Sequence, residues 1–149
     1  MYIPEIPNNS LKEEIKEIVS LCMKLKSRYG KNSTWFDSKS NDEDIIKWEE
    51  QNGISIPESY KEWLRFTDDS QILNIVARFY GTKMIGYYNE YVDDDLIVIG
   101  EIIGDGEMLC FSKTTGKIVR FNHGKRKEFN DFKEFLHKYL IRILQEETY

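Results

Sequence analysis

Only two cysteines, two histidines and three prolines occur among 149 residues. No apolar run approaches the roughly 20 residues that a membrane-crossing helix needs. Cys22 and Cys110 both lie in apolar-patterned segments, and neither sits beside a second ligand-type residue. Two buried thiols in a reducing compartment is therefore a plainer account than a disulfide. His123 and His137 are equally isolated, and neither a His-Glu-x-x-His helix nor a glycine-rich phosphate loop is written anywhere. Residues 1–11 carry prolines and acids where a signal peptide would have a basic start and an apolar block. The expectation from these absences is a cytoplasmic protein with no metal, no cofactor, no catalytic residues and no membrane partner.

What is present is ordinary for a chain that folds in water. Hydrophobic residues make up 40% and charged residues 32%, and 21 Lys and Arg against 26 Asp and Glu leave a net charge of -5. A mass of 17.7 kDa suits a single domain over residues 1–149, which would expose roughly 7,900 Å² when folded.

Ser10 followed by Glu13 reads as a capping box. Beyond it, Leu11, Ile15, Ile18, Cys22, Leu25 and Tyr29 recur at helical spacing until Gly30 ends the stripe. Residues 31–41 read as a loop with an aromatic plug, Trp35 and Phe36. A second helix is expected from Asp42 to Asn52, with Ile45, Ile46 and Trp48 inward, and a third opens at Pro57 with Tyr60, Trp63 and Leu64 as its contacts. From Gln71 the pattern changes to short β-branched and aromatic runs: Ile72 to Phe79, Met84 to Tyr88, Leu96 to Ile103, Met108 to Phe111 and Ile118 to Phe121. The last two read as a hairpin across Lys113 to Gly116. Asn130 or Asp131 then caps a helix whose wide apolar stripe should cover one side of the sheet. The fold class is α+β: N-terminal helices, a sheet of about six mostly antiparallel strands, and a C-terminal helix packed on it.

Glu49, Gly53, Ile56-Pro57, Tyr60 and Leu64, spaced as they are, resemble the opening signature of the SUKH superfamily. Gly104-Asp105-Gly106 leading into Leu109-Cys110-Phe111, the turn glycine Gly116, and the helix with Phe132, Phe135 and Leu136 are similar to its later blocks. Together these cover residues 42–145 in order, with 1–41 as an N-terminal helix and loop. The superfamily holds fungal cell-wall-assembly regulators of Smi/Knr type and many bacterial toxin-immunity proteins. The resemblance implies a binding domain with no shared active site. It implies an immunity protein that neutralises a cognate bacterial toxin domain by occlusion, with a regulatory scaffold module as the alternative. The chain departs from the pattern in two places: Thr67-Asp68-Asp69-Ser70 stands where an Asn-Gly turn is common, and Ile56 precedes Pro57 where Leu is more common, a swap a core tolerates.

Residues for such a contact are suggested by local composition. Glu90, Asp93, Asp94, Asp95, Glu101, Asp105 and Glu107 are all acidic, and no Lys or Arg lies between Lys83 and Lys113. Tyr87, Tyr88 and Tyr91 are interleaved with them. Three consecutive aspartates cannot all be paired inside a core, so some face water. Carboxylates with amphipathic rings suit a basic partner, and a nuclease toxin must itself be basic to hold a phosphate backbone. Trp35, in its polar loop, is a further candidate. The basic stretch from Lys113 to Lys127 reads as a solvated turn or a second interface patch, since an acidic chain without a recognised nucleic-acid module argues against a nucleic-acid ligand. A homodimer through the tyrosines stays open.

Overall fold

The stripe that begins at Leu11 forms α1 (Lys12–Tyr29), and its Ile15, Ile18, Cys22 and Leu25 are buried. The computed structural model describes residues 1–104 and 106–149. Asn9, not a Ser10–Glu13 box, satisfies the start of α1: its Oδ1 accepts from the Leu11 N–H at 3.0 Å, while the Ser10 hydroxyl donates to Glu62. A tertiary partner has taken the residue that local spacing assigned to a cap.

Trp35–Phe36 form an edge strand, β1, rather than a loop plug. α2 (Asp42–Asn52) and α3 (Glu58–Leu64) follow as expected, although Ile46 is 52% exposed while Ile45 and Trp48 are buried. The corner between the two helices explains the first sequence block. The Gly53 N–H bonds the Glu49 carbonyl at 2.8 Å, and Gly53 holds φ 63°, a conformation that glycine adopts without a Cβ penalty. The Glu49 carboxylate accepts from the Ile56 N–H at 2.8 Å and pairs with Lys61 at 2.9 Å. Pro57 precedes the first turn of α3, and Leu64 and Tyr60 are fully buried. The Tyr60 hydroxyl donates to the Tyr80 carbonyl at 2.6 Å and lies 3.2 Å from that of Ile99, and burial pushes it well above the usual tyrosine pKa.

Seven strands occur among the described residues: β1, β2 (Ser70–Ile72), β3 (Ala77–Phe79), β4 (Leu96–Ile102), β5 (Glu107–Ser112), β6 (Ile118–Asn122) and β7 (Lys125–Phe129). Each pairs antiparallel with the next, so spatial order equals chain order. The expected strand from Ile72 to Phe79 is broken by a single helical turn, α4 (Leu73–Val76). Leu73 takes φ 43°, and its N–H is held by the Thr34 hydroxyl at 2.9 Å. A contact from a distant segment here outweighs a β-rich local composition. β7 is the strand that composition did not announce. His123 and Gly124 both take positive φ (50° and 83°), the geometry of a tight two-residue hairpin turn.

Residues 84–88, expected as a strand, instead form turns closed by Met84 and Ile85 N–H bonds to the Gly81 carbonyl, both 3.0 Å. The segment nonetheless runs beside β4. Tyr80 N–H bonds the Ile99 carbonyl at 2.7 Å, Gly86 N–H bonds the Val98 carbonyl at 2.9 Å, and Asn89 Oδ1 accepts from Val98 N–H at 2.9 Å. The register of β4 against β5 shifts between Val98 and Gly100, at the point where the other edge of β4 passes from β3 to the loop. Gly100 is required there, because a Cβ would sit 2.4 Å from the Arg78 carbonyl oxygen. Trp48 Nε1 donates to the Ile85 carbonyl at 3.1 Å and ties α2 to the same loop. Where an Asn-Gly turn is common, Asp69 Oδ1 instead accepts the Gly81 N–H at 3.0 Å and Asp68 Oδ1 the Thr82 N–H at 2.9 Å.

At the C-terminus Asp131 accepts from the Glu134 N–H at 2.8 Å. α5 (Phe132–Phe135) runs through a π-spaced stretch, Leu136–Ile141, into α6 (Arg142–Glu147). Phe132, Phe135 and Leu136 are buried, with the Phe132 ring against Phe79 and the Phe135 ring against Phe129. One face of the sheet is thus roofed by helix. The folded chain exposes 7965 Å², as one domain of its mass should.

Candidate functional site

Strand alternation and register define what lies on the other face. Trp35 pairs Gln71, Gln71 pairs Arg78, Arg78 pairs Glu101, Glu101 pairs Met108, Met108 pairs Phe121 and Phe121 pairs Arg126. Directly opposed residues point to the same side, so one row crosses all seven strands. Arg120, on the opposite parity, lies under the C-terminal helix with its guanidinium 4.2 Å from the Tyr139 ring centre. The row from Trp35 to Arg126 is therefore on the helix-free face.

Residues 84–95 lie across part of that face. Tyr88 is half-buried and central: its ring is 5.9 Å from Tyr80, 5.0 Å from Tyr87 and 6.3 Å from Tyr91. The Arg78 guanidinium then lies 5.7 Å from both the Tyr80 and Trp35 rings. A continuous chain of ring and guanidinium contacts thereby joins half-buried Trp35 to the three tyrosines. Tyr87 and Tyr91 are 69% and 63% exposed, which leaves most of their area for another surface. Tyr91 also walls a groove with Gly106, Met108, Phe121 and His123.

The acidic residues divide into three groups. Arg126 donates to Asp95 through both terminal nitrogens (2.8 and 2.5 Å) and to Asp93 at 2.7 Å, so the basic hairpin and the acidic loop grip each other. The Arg126 hydrogen bond holds the Asp95 carboxyl below the usual aspartate pKa, and the two carboxylates raise that of Arg126. Glu90 and Asp94 are exposed, and neither has an ion-pair or hydrogen-bond partner among the described residues. Glu107 departs from the expectation. It is 8% exposed, and its two oxygens accept from Arg120 at 3.1 and 3.0 Å on the helix-covered face. Alternation along β5 turns Glu107 away from its neighbour Met108, so closeness in sequence to the acidic loop does not put it on that surface. Asp105 lies outside the described residues.

The remaining marked residues serve the scaffold. Gly104, Gly106 and Gly116 take positive φ (123°, 69° and 72°) at the turns flanking β5. Phe111 and Cys110 are buried, and burial pushes the Cys110 thiol up to about 12 and that of Cys22 to about 11. Thiols so placed stay protonated and inert at neutral pH. Arg78, Tyr80, Met108 and Phe121 belong to the site but were not singled out from sequence, and Arg126 was marked only as part of the basic stretch. Their signal is the register row, which exists only once the strands are paired.

Exposed tyrosines supply amphipathic contact area with few rotatable bonds, and unpaired carboxylates beside them suit a positively charged surface. Residues 39–138 match the family model described as SMI1 / KNR4 family (SUKH-1), and the chain belongs to that family. The match includes the tyrosine loop and most of the sheet but excludes α1 and Trp35–Phe36. Proteins of this family are generally non-enzymatic immunity or regulatory proteins. Among curated proteins, none matches the chain.

Proposed function

We propose, taking membership of the SUKH-1 family as the premise, that this chain is an immunity protein. It binds a cognate bacterial toxin domain of basic character, a nuclease fitting best, and neutralises it in the cytoplasm by covering the substrate cleft. The observation that carries this reading is that two exposed tyrosines, Tyr87 and Tyr91, share a loop with two carboxylates, Glu90 and Asp94, that have no partner among the described residues. A nuclease cleft that holds a phosphate backbone must be lined with Lys and Arg. An acidic cap opposes that charge, speeds encounter, and competes with the nucleic acid for the same groups. The sheet and its helical roof supply a rigid platform, while the loop above the free face can vary between members without cost to the core.

The test is capture of the partner by tagged chain from its native cells, followed by an activity assay of that partner with and without the chain. Loss of the partner's activity at equimolar chain is the expected result. Association should slow on reversing Glu90 and Asp94 to lysine, most strongly at low salt. A captured partner whose activity is unchanged on binding would replace immunity with the regulatory-scaffold reading.

A further inference from the structure

The helix-free face holds a groove of about 220 Å³. Its floor is Met108 and Phe121, which oppose each other in register, and its walls are Tyr91, His123 and Gly106. Drug-sized ligand sites begin at roughly 300 Å³, so this volume suits one inserted side chain better than a free small molecule. The floor is apolar, since it consists of a thioether and a phenyl ring. Near the rim, Arg126 follows Phe121 in the same row but is already held by Asp93 and Asp95. Glu90 and Asp94, on either side of Tyr91 in the loop, have no partners among the described residues. The apolar floor thus opens beside Tyr91, whose own loop carries these two exposed carboxylates.

We infer that this groove is the anchor point of the interface: it takes an aliphatic or aromatic side chain from a partner segment that carries Lys or Arg beside that residue. The inference rests on the immunity reading and sharpens it to a partner chemistry. The inserted side chain is desolvated between Met108, Phe121 and the Tyr91 ring, while the flanking cations meet Glu90 and Asp94. Anchors of this kind, in a pocket ringed by polar groups, carry most of the energy of an interface.

The experiment uses the full chain with its methionine methyl groups labelled for NMR and three blocked tripeptides: Arg-Leu-Arg, Arg-Ala-Arg and Glu-Leu-Glu. The Met108 methyl signal should move and saturate with the arginine-flanked leucine, while binding of the other two is weaker by about tenfold. Tyr91→Ala, at an exposed position, should remove the Met108 shift without lowering Tm. No movement of Met108 at millimolar peptide, or an equal response to Glu-Leu-Glu, overturns the inference. Two further outcomes separate it from the reading beneath it. Neutralisation of a captured toxin with unchanged affinity for Tyr91→Ala rejects the groove and leaves immunity standing. Occupied groove signals with a captured partner that is not inhibited keep the groove and reject immunity.

Discussion

Strand β5 belongs to both faces of the sheet. Leu109 and Phe111 are buried beneath the C-terminal helix, whereas Met108, one residue away, floors an open groove. On the covered side, Phe132 sits among Phe79, Trp63, Tyr60 and Phe135, with ring centres 5.0–5.6 Å apart. On the free side the ring contacts run through Tyr80 and Tyr88 to Tyr87 and Tyr91, which are largely exposed. Charge follows the same division. Glu107 and Arg120 form a bidentate pair under the helix, while Asp93 and Asp95 share Arg126 at the exposed edge of the loop. A single alternating strand thus supplies packing from one set of side chains and, on the proposed function, partner contact from the other, so the two properties should respond separately to mutation.

The largest effect should come from the covered side. Phe132→Ala removes a fully buried ring from that cluster and should cost about 3–5 kcal/mol in urea unfolding. A cost below 1 kcal/mol would mean that the helix does not roof the sheet as described. Gly100→Ala tests the seam where β3 ends and the tyrosine loop takes over, because the new Cβ meets the Arg78 carbonyl. Forcing β3 and β4 apart should cost about 1–3 kcal/mol, and amide exchange should rise on both sides of the bulge. A rise confined to one side would show the two regions to be less coupled than the shared bulge requires.

The smallest effect belongs to the exposed latch. Arg126→Ala should leave the unfolding midpoint nearly unchanged, since exposed ion pairs contribute little, but should raise amide exchange in residues 84–95. The pH dependence has a definite sign. The folded Asp95 carboxyl titrates below its unfolded value, so its contribution is present above the ordinary aspartate pKa of about 3.9 and is lost as pH falls through the folded value. Loop protection in the native chain should therefore persist on acidification to about pH 4 and fall below it. In Arg126→Ala that Asp95-dependent fall should be absent, as tyrosine-loop exchange measured against pH would reveal.

Much of the scaffold could be read directly. The bounds of α2, the Gly116 turn, the Asp131 cap and the α+β order all depend on residues close together in the chain, where periodicity, turn chemistry and capping act. The misreadings share one cause. Residues 72–79 and 84–88 have strand composition, yet Thr34 bends the first and the β4 bulge receives the second as turns. Ser10 looked like a cap and bonds Glu62 instead. The basic run after Asn122 gave no apolar alternation and still forms β7, because an outermost strand needs only one buried residue, Phe129, to be held.

The candidate site was legible in part. Tyr87, Tyr91, Glu90 and Asp94 could be named from composition because nothing in their segment could bury so many charges. That Asp93 and Asp95 are held by Arg126, that Glu107 belongs to the opposite face, and that Trp35 joins the tyrosines through Arg78 and Tyr80 depends on pairing across the sheet.

From its residue order alone this protein has its family blocks, its α+β class, the bounds of α2 and an acidic, tyrosine-rich stretch, since each block is written in residues only a few positions apart along the backbone. Which carboxylates have no partner among the described residues, and that an apolar groove opens beside Tyr91, was decided by tertiary structure. Register across seven strands sets a single row from Trp35 on one edge strand to Arg126 on the other, and a one-residue shift in a pairing would turn the shifted side chains to the other face.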